Sequence, residues 1–101
     1  MGQVTWTERA RADFREIVEK LAATSAAAAG RLKIDVANAT SHIGRFPLIG
    51  RRASEIEDSD FREIVVGKVV LAYRIDEDGI IIYAIIDPRR SMGYRIPGEP
   101  H

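Results

Sequence analysis

Apolar residues recur at threes and fours through the first half of the chain and at every second position through the rest. The sequence therefore divides into a helical part and a β part. Val4 to Trp6 is a short β-prone stretch. Thr7 then offers a capping oxygen and Glu8 an acid for a first turn, which predicts a helix start. Ala10, Phe14, Ile17, Val18 and Leu21 share one face of a helix over residues 8 to 23, with Arg9, Arg15, Glu16, Glu19 and Lys20 elsewhere on it. Thr24-Ser25 interrupts, and Ala29, Leu32, Val36, Ala39 and Ile43 mark a second helix with Gly44 as its expected C′ residue. So short a connection predicts an antiparallel αα-hairpin whose alanines let the backbones approach closely.

The stretch Arg45 to Arg52, "RFPLIGRR", has Pro47 and Gly50 and reads as an ordered turn. The acids that follow, Glu55, Glu57, Asp58 and Asp60, read as a solvated loop. From Phe61 the period becomes two, and "FREIVVG", "KVVLAYRI" and "GIIIYAIID" predict three antiparallel strands, the last two joined by the hairpin signal Asp76-Glu77-Asp78-Gly79. Simple alternation places Val69, Leu71, Tyr73 and Ile75 on one face with Ile80, Ile82, Ala84 and Ile86, and that uncharged face should meet the helices. The other face would then carry Val70, Ala72, Arg74, Ile81, Tyr83 and Ile85, too apolar for an ordinary solvated surface. Asp87-Pro88 ends the strand, and a tail with Pro97, Gly98 and Pro100 follows. The expected class is α+β: an N-terminal strand, a helix hairpin and a three-stranded meander in one sheet.

With 101 residues there is room for one core and hence one domain. The 15 basic and 15 acidic residues cancel, so no global field would draw the chain onto nucleic acid. Charge is instead clustered: Arg45, Arg51 and Arg52 fall in one stretch, Arg89, Arg90 and Arg95 in another. Arginine suits planar contacts with phosphates, carboxylates and interface groups. There is no cysteine, which excludes disulfides and thiolate metal sites. The opening residues lack the blocks of a signal peptide, and no apolar run approaches the roughly 18 residues of a membrane span, so a cytoplasmic location away from membranes is expected. No phosphate loop, nucleophile motif or metal-ligand spacing occurs, so neither metal nor small-molecule cofactor is expected. His42 reads as a solvated histidine at a helix end, and His101 is terminal.

Several motifs together carry a family resemblance. These are Ala10, Asp13, Phe14 and Ile17 in the first helix, Phe46-Pro47 with Gly50-Arg51 after the second, Phe61-Arg62-Glu63 leading to Gly67, Tyr73-Arg74 in the hairpin, and Arg89-Arg90 after the last strand. In this order the chain resembles the RelE/ParE family of toxins. The resemblance implies the toxin of a type II toxin–antitoxin module, held by a cognate antitoxin. Some family members enter the ribosome and cut messenger RNA; the ParE-like branch inhibits DNA gyrase.

RNA cleavage needs cations and an acid–base group converging on one phosphate, and the candidates are Arg74, Arg89, Arg90 and Tyr94. Cleaving members tend to carry lysines and an arginine where this chain has Ile64, Val65, Val66, Val69 and Val70, and often histidine where it has Asp87. The expectation is therefore a ParE-like toxin that acts by protein binding. Its antitoxin would cover Val70, Ala72, Arg74, Ile81, Tyr83 and Ile85, and Arg51, Arg52, Arg89 and Arg90 would face the target. Two alternatives stay open, a ribosome-dependent endoribonuclease and a non-toxic relative that persists as a binding module. From its residues alone, the Arg89-Arg90 pair can equally be solvated or paired with Asp87, and Arg74 can lie over Tyr83 and Ile81 with its head wet.

Overall fold

The computed structural model describes residues 3–52 and 61–89. Its elements run β1 (Gln3–Trp6), α1 (Glu8–Ala22), α2 (Ala26–Arg45), a 3₁₀ turn (Pro47–Ile49), β2 (Arg51–Arg52), β3 (Phe61–Val66), β4 (Val69–Asp76) and β5 (Gly79–Ile86). The expected helix hairpin and meander are both present. The acidic block at 55–60, Arg90, Tyr94, Arg95 and the tail lie outside the described residues.

Both helices start as the sequence dictates. The Thr7 hydroxyl accepts the Ala10 N–H and the Ser25 hydroxyl accepts the Ala28 N–H, each at 3.0 Å, so orphan donors of both first turns are satisfied. Gly44 does not end the second helix. It is buried within α2, which continues to Arg45 and closes when the Phe46 N–H donates to the His42 carbonyl at 2.8 Å.

Among the described residues the sheet holds five strands in the order β1-β5-β4-β3-β2. β1 pairs parallel with β5, Gln3 to Trp6 opposite Gly79 to Ile82, and two-residue β2 extends the meander beside Glu63 and Arg62. Gly79 takes a φ of +141°, and a β-carbon there would run into the Gln3 backbone, so this close parallel start depends on glycine.

The register of β5 departs from simple alternation. Ile75 and Tyr73 face Ile80 and Ile82, but Ala72 then faces Ala84, leaving Tyr83 as the extra residue of a β-bulge. One inserted residue reverses the facing of everything after it. Ile85, expected on the outer face, therefore joins Val66, Val69, Leu71, Tyr73, Ile80 and Ile82 against Ala10, Ile17, Leu32, Val36 and Ile43 of the helices. Ala84 and Ile86, expected inside, form with Ala72 a smaller cluster on the outer face, against which Phe61 packs.

Beyond Trp6, β1 no longer covers the edge of β5, and helix α1 takes over its role. The Thr7 N–H donates to the Ile82 carbonyl and the Thr7 hydroxyl to the Tyr83 carbonyl, both at 3.0 Å. The Asp13 carboxylate accepts the Ile85 N–H at 3.1 Å. Side chains at the start of one helix thus satisfy backbone groups that a bulged strand would otherwise leave open.

Candidate functional site

The outer sheet face and the turn between α2 and β2 carry the candidate residues. On the outer face, the Arg74 guanidinium lies 5.4 Å from the Tyr83 ring centroid and 5.9 Å from that of Phe61, and the two rings meet edge to face at 5.1 Å. Arg74 stands opposite both Phe61 and Ile81 in the ladders, while the bulge turns Tyr83 toward it. The stacking of Arg74 over Tyr83, one of the two arrangements left open by the sequence, is present, with Phe61 as a second ring. Val70 and Ala72 are buried in this face, whereas Arg74, Ile81 and Tyr83 are half-buried and reachable.

Two of the other candidate arginines, Arg51 and Arg89, are held by acids, and Arg52 is exposed beside Arg51 on β2. Arg51 on β2 meets buried Glu63 at 3.0 Å, its side chain otherwise 81% exposed. Asp87 accepts the Arg89 N–H at 3.0 Å and the Arg89 guanidinium at 3.3 Å through each oxygen. That hydrogen bond and the Asp87 charge raise the Arg89 pKa, fixing it as a cation. Asp-Pro-Arg therefore forms an Asx turn that ends β5, which is the paired arrangement the residues alone allowed.

The structure does not gather these cations into one spot. Val70 pairs with Ile86, and Arg74 lies four residues further along β4, about 13 Å from the strand end that leads to Arg89. β2 is separated from β5 by two intervening strands, so Arg51 and Arg89 belong to regions roughly 14 Å apart laterally. Arg90 and Tyr94 are outside the described residues, as is any contact they make. Among the described residues no group of His, Asp and Glu is placed to hold a metal ion.

The turn "FPLIGRR" is fastened from inside the core. Tyr73 donates its hydroxyl proton to the Pro47 carbonyl at 2.7 Å and accepts the Gly50 N–H at 2.8 Å, while Arg62 donates to the Gly50 carbonyl at 2.7 Å. Burial pushes the Tyr73 pKa up, against the opposing pull of the Gly50 N–H and the Arg62 charge. Gly50 has an ordinary extended backbone, φ −75° and ψ 149°; what it supplies is room, because a β-carbon would lie 2.6 Å from the Tyr73 hydroxyl. Sequence reasoning placed Tyr73 in the core without seeing this role. The signal was a lone tyrosine on an otherwise aliphatic inner face, since a buried hydroxyl needs partners.

The family model described as the ParE toxin of type II toxin–antitoxin systems, parDE, matches residues 4–92. The chain belongs to the ParE toxin family. A solved structure described as the chromosomal ParDE toxin–antitoxin system from P. aeruginosa is similar in fold, with a TM-score of 0.71 and 19% identity over 86% of this chain and 96% of that one. No curated protein matches in sequence. As a ParE-family toxin, the chain uses several of its motif residues for architecture: Ala10 is buried under the sheet, Asp13 caps β5, and Gly50 makes space for Tyr73.

Proposed function

We propose that this ParE-family toxin arrests growth by holding an essential protein, with DNA gyrase as the target its family suggests, and that a cognate antitoxin neutralises it. The observation that carries this reading is the commitment of the candidate cations. Arg51 and Arg89 each hold an acid, and Arg74 lies on two rings. Phosphodiester cleavage instead asks for cations and a proton donor aimed together at one developing charge. The antitoxin segment covers Arg74, Ile81 and Tyr83, above buried Val70 and Ala72; Ile85, turned inward by the bulge, is not part of that surface. Arg51 and Arg89 remain largely exposed beside the acids that hold them, so with exposed Arg52 they can still meet carboxylates of the target, and Arg90, outside the described residues, is expected to join them.

The test has two arms. The purified chain is expected to inhibit supercoiling by gyrase, with activity restored when the antitoxin is added. Transcripts from induced cells are expected to keep intact ends within translated regions. Cuts inside translated messages that vanish in Arg89→Ala overturn the reading in favour of a ribosome-dependent endoribonuclease. Unaffected growth on induction of the soluble protein assigns it to a non-toxic binding module.

A further inference from the structure

Among the described residues five large apolar side chains are exposed, and three fall within four positions: Phe46 at 52%, Leu48 at 69% and Ile49 at 43%. Ile34 and Val65 are the other two and stand in different elements. The cluster sits on the turn fastened by Tyr73 and Arg62, and its own backbone is closed by the Ile49 N–H donating to the Phe46 carbonyl at 3.0 Å. Its shape is therefore set before any partner arrives, which removes most of the ordering cost of binding. An apolar surface this concentrated on a rigid turn marks an interaction site more readily than three scattered residues do.

The frame of the cluster is cationic. The Arg45 guanidinium lies 5.7 Å from the Phe46 ring centroid, and Arg51 and Arg52 are exposed immediately after the turn. No acid occurs in the sequence between Asp35 and Arg52, and the Glu63 that holds Arg51 is buried, which leaves Arg51 exposed as the outer member of that pair. We propose that the Phe46, Leu48 and Ile49 face is where the target protein docks, through an acidic amphipathic segment that lays apolar side chains on the turn and carboxylates toward Arg45 and Arg51. This rests on the reading that the toxin acts by holding a protein, and it places the contact apart from the outer sheet face. A second copy of this chain fits less well, because it would bring two cationic frames together.

The test uses the whole chain with purified DNA gyrase as probe. The double variant Leu48→Ser/Ile49→Ser is expected to need about tenfold or more protein for half-inhibition of supercoiling, the loss typical of an apolar anchor. Arg45→Glu should weaken inhibition in the same direction, and Ile34→Ser should leave it unchanged. The side chains are exposed, so thermal melting should be unaltered; if the double variant melts early, Leu48→Ser alone serves in its place.

Inhibition equal to wild type by the folded variant overturns the proposal. So does a wild-type dimer that the variant dissolves into monomers, or duplex DNA retention that the double variant and Arg45→Glu both lose. Should wild type leave gyrase untouched, the choice of gyrase fails separately, and growth arrest decides the docking face: arrest abolished by the double variant supports it, arrest retained overturns it. A wild type that neither inhibits gyrase nor arrests growth overturns the proposal together with the reading beneath it.

Discussion

Replacing Tyr73 by phenylalanine removes one oxygen and keeps the ring, so it isolates the fastening of the α2–β2 turn. The hydroxyl serves two partners, Pro47 and Gly50. Each lost hydrogen bond is worth about 1 kcal/mol, and the Gly50 N–H, on a buried residue, is left without its partner at a further cost of about 1–2 kcal/mol. Pro47 is less buried and its carbonyl can turn to water. The sum is about 2–4 kcal/mol, a large share of the 5–15 kcal/mol usual for a whole domain. A chain of this length loses about 5 °C of melting temperature per kcal/mol, so Tyr73→Phe should melt about 10–20 °C lower by circular dichroism. Tyr83→Phe is the control, since the Tyr83 ring has contacts but its hydroxyl is outside the fastening, and it should melt within about 2 °C of wild type. A Tyr73→Phe protein that melts with the control would show that the turn is held by something other than this hydroxyl.

The same group gives a pH dependence of known sign. Its pKa is raised in the folded state, so the stabilisation is complete below about pH 10 and is lost as pH rises through the folded value; urea melts should show the gap between wild type and Tyr73→Phe closing in that alkaline range. Asp13→Ala should cost about 1–2 kcal/mol because the Ile85 N–H loses its acceptor, whereas Asp13→Asn, which keeps an acceptor oxygen, should recover most of it in denaturant titrations. Thr7→Ala removes both the cap on Ala10 and the bond to Tyr83, for about 1–3 kcal/mol, and should speed amide exchange at Ala10; Thr7→Ser should restore protection.

The helices and the meander were legible because their patterns contain polar residues at fixed intervals. Arg9, Glu16 and Lys20 mark the wet side of α1, and Asp76 with Asp78 marks the hairpin, where the Asp78 N–H bonds the Asp76 carboxylate at 2.9 Å. The facing of β5 was not legible beyond Ile82. Gly79 to Ile86 offers no charged residue on either face, so nothing in it records the phase, and a one-residue bulge moved Ile85 inward unseen. The partner of β1 was hidden because a parallel pair needs no local turn, and β2 is only two residues long. At the candidate site, the Asp87 pairing of Arg89 could be anticipated from two positions of separation. The Glu63 partner of Arg51 and the Phe61 ring beneath Arg74 depend on cross-strand register, which becomes visible only once the strands are aligned.

The parallel docking of β1 on β5 also constrains how the molecule is born. Thr7 binds a carbonyl 76 positions downstream, and the strand before it zips onto residues 79–82. A nascent chain must hold β1 idle until residues 79–82 have left the ribosome, because the seat for that strand is synthesised only after both helices and β2 to β4. Premature termination anywhere before the hairpin of β4 and β5 yields a polypeptide that cannot close its sheet, so every element from β1 to β5 must be made before the fold can form.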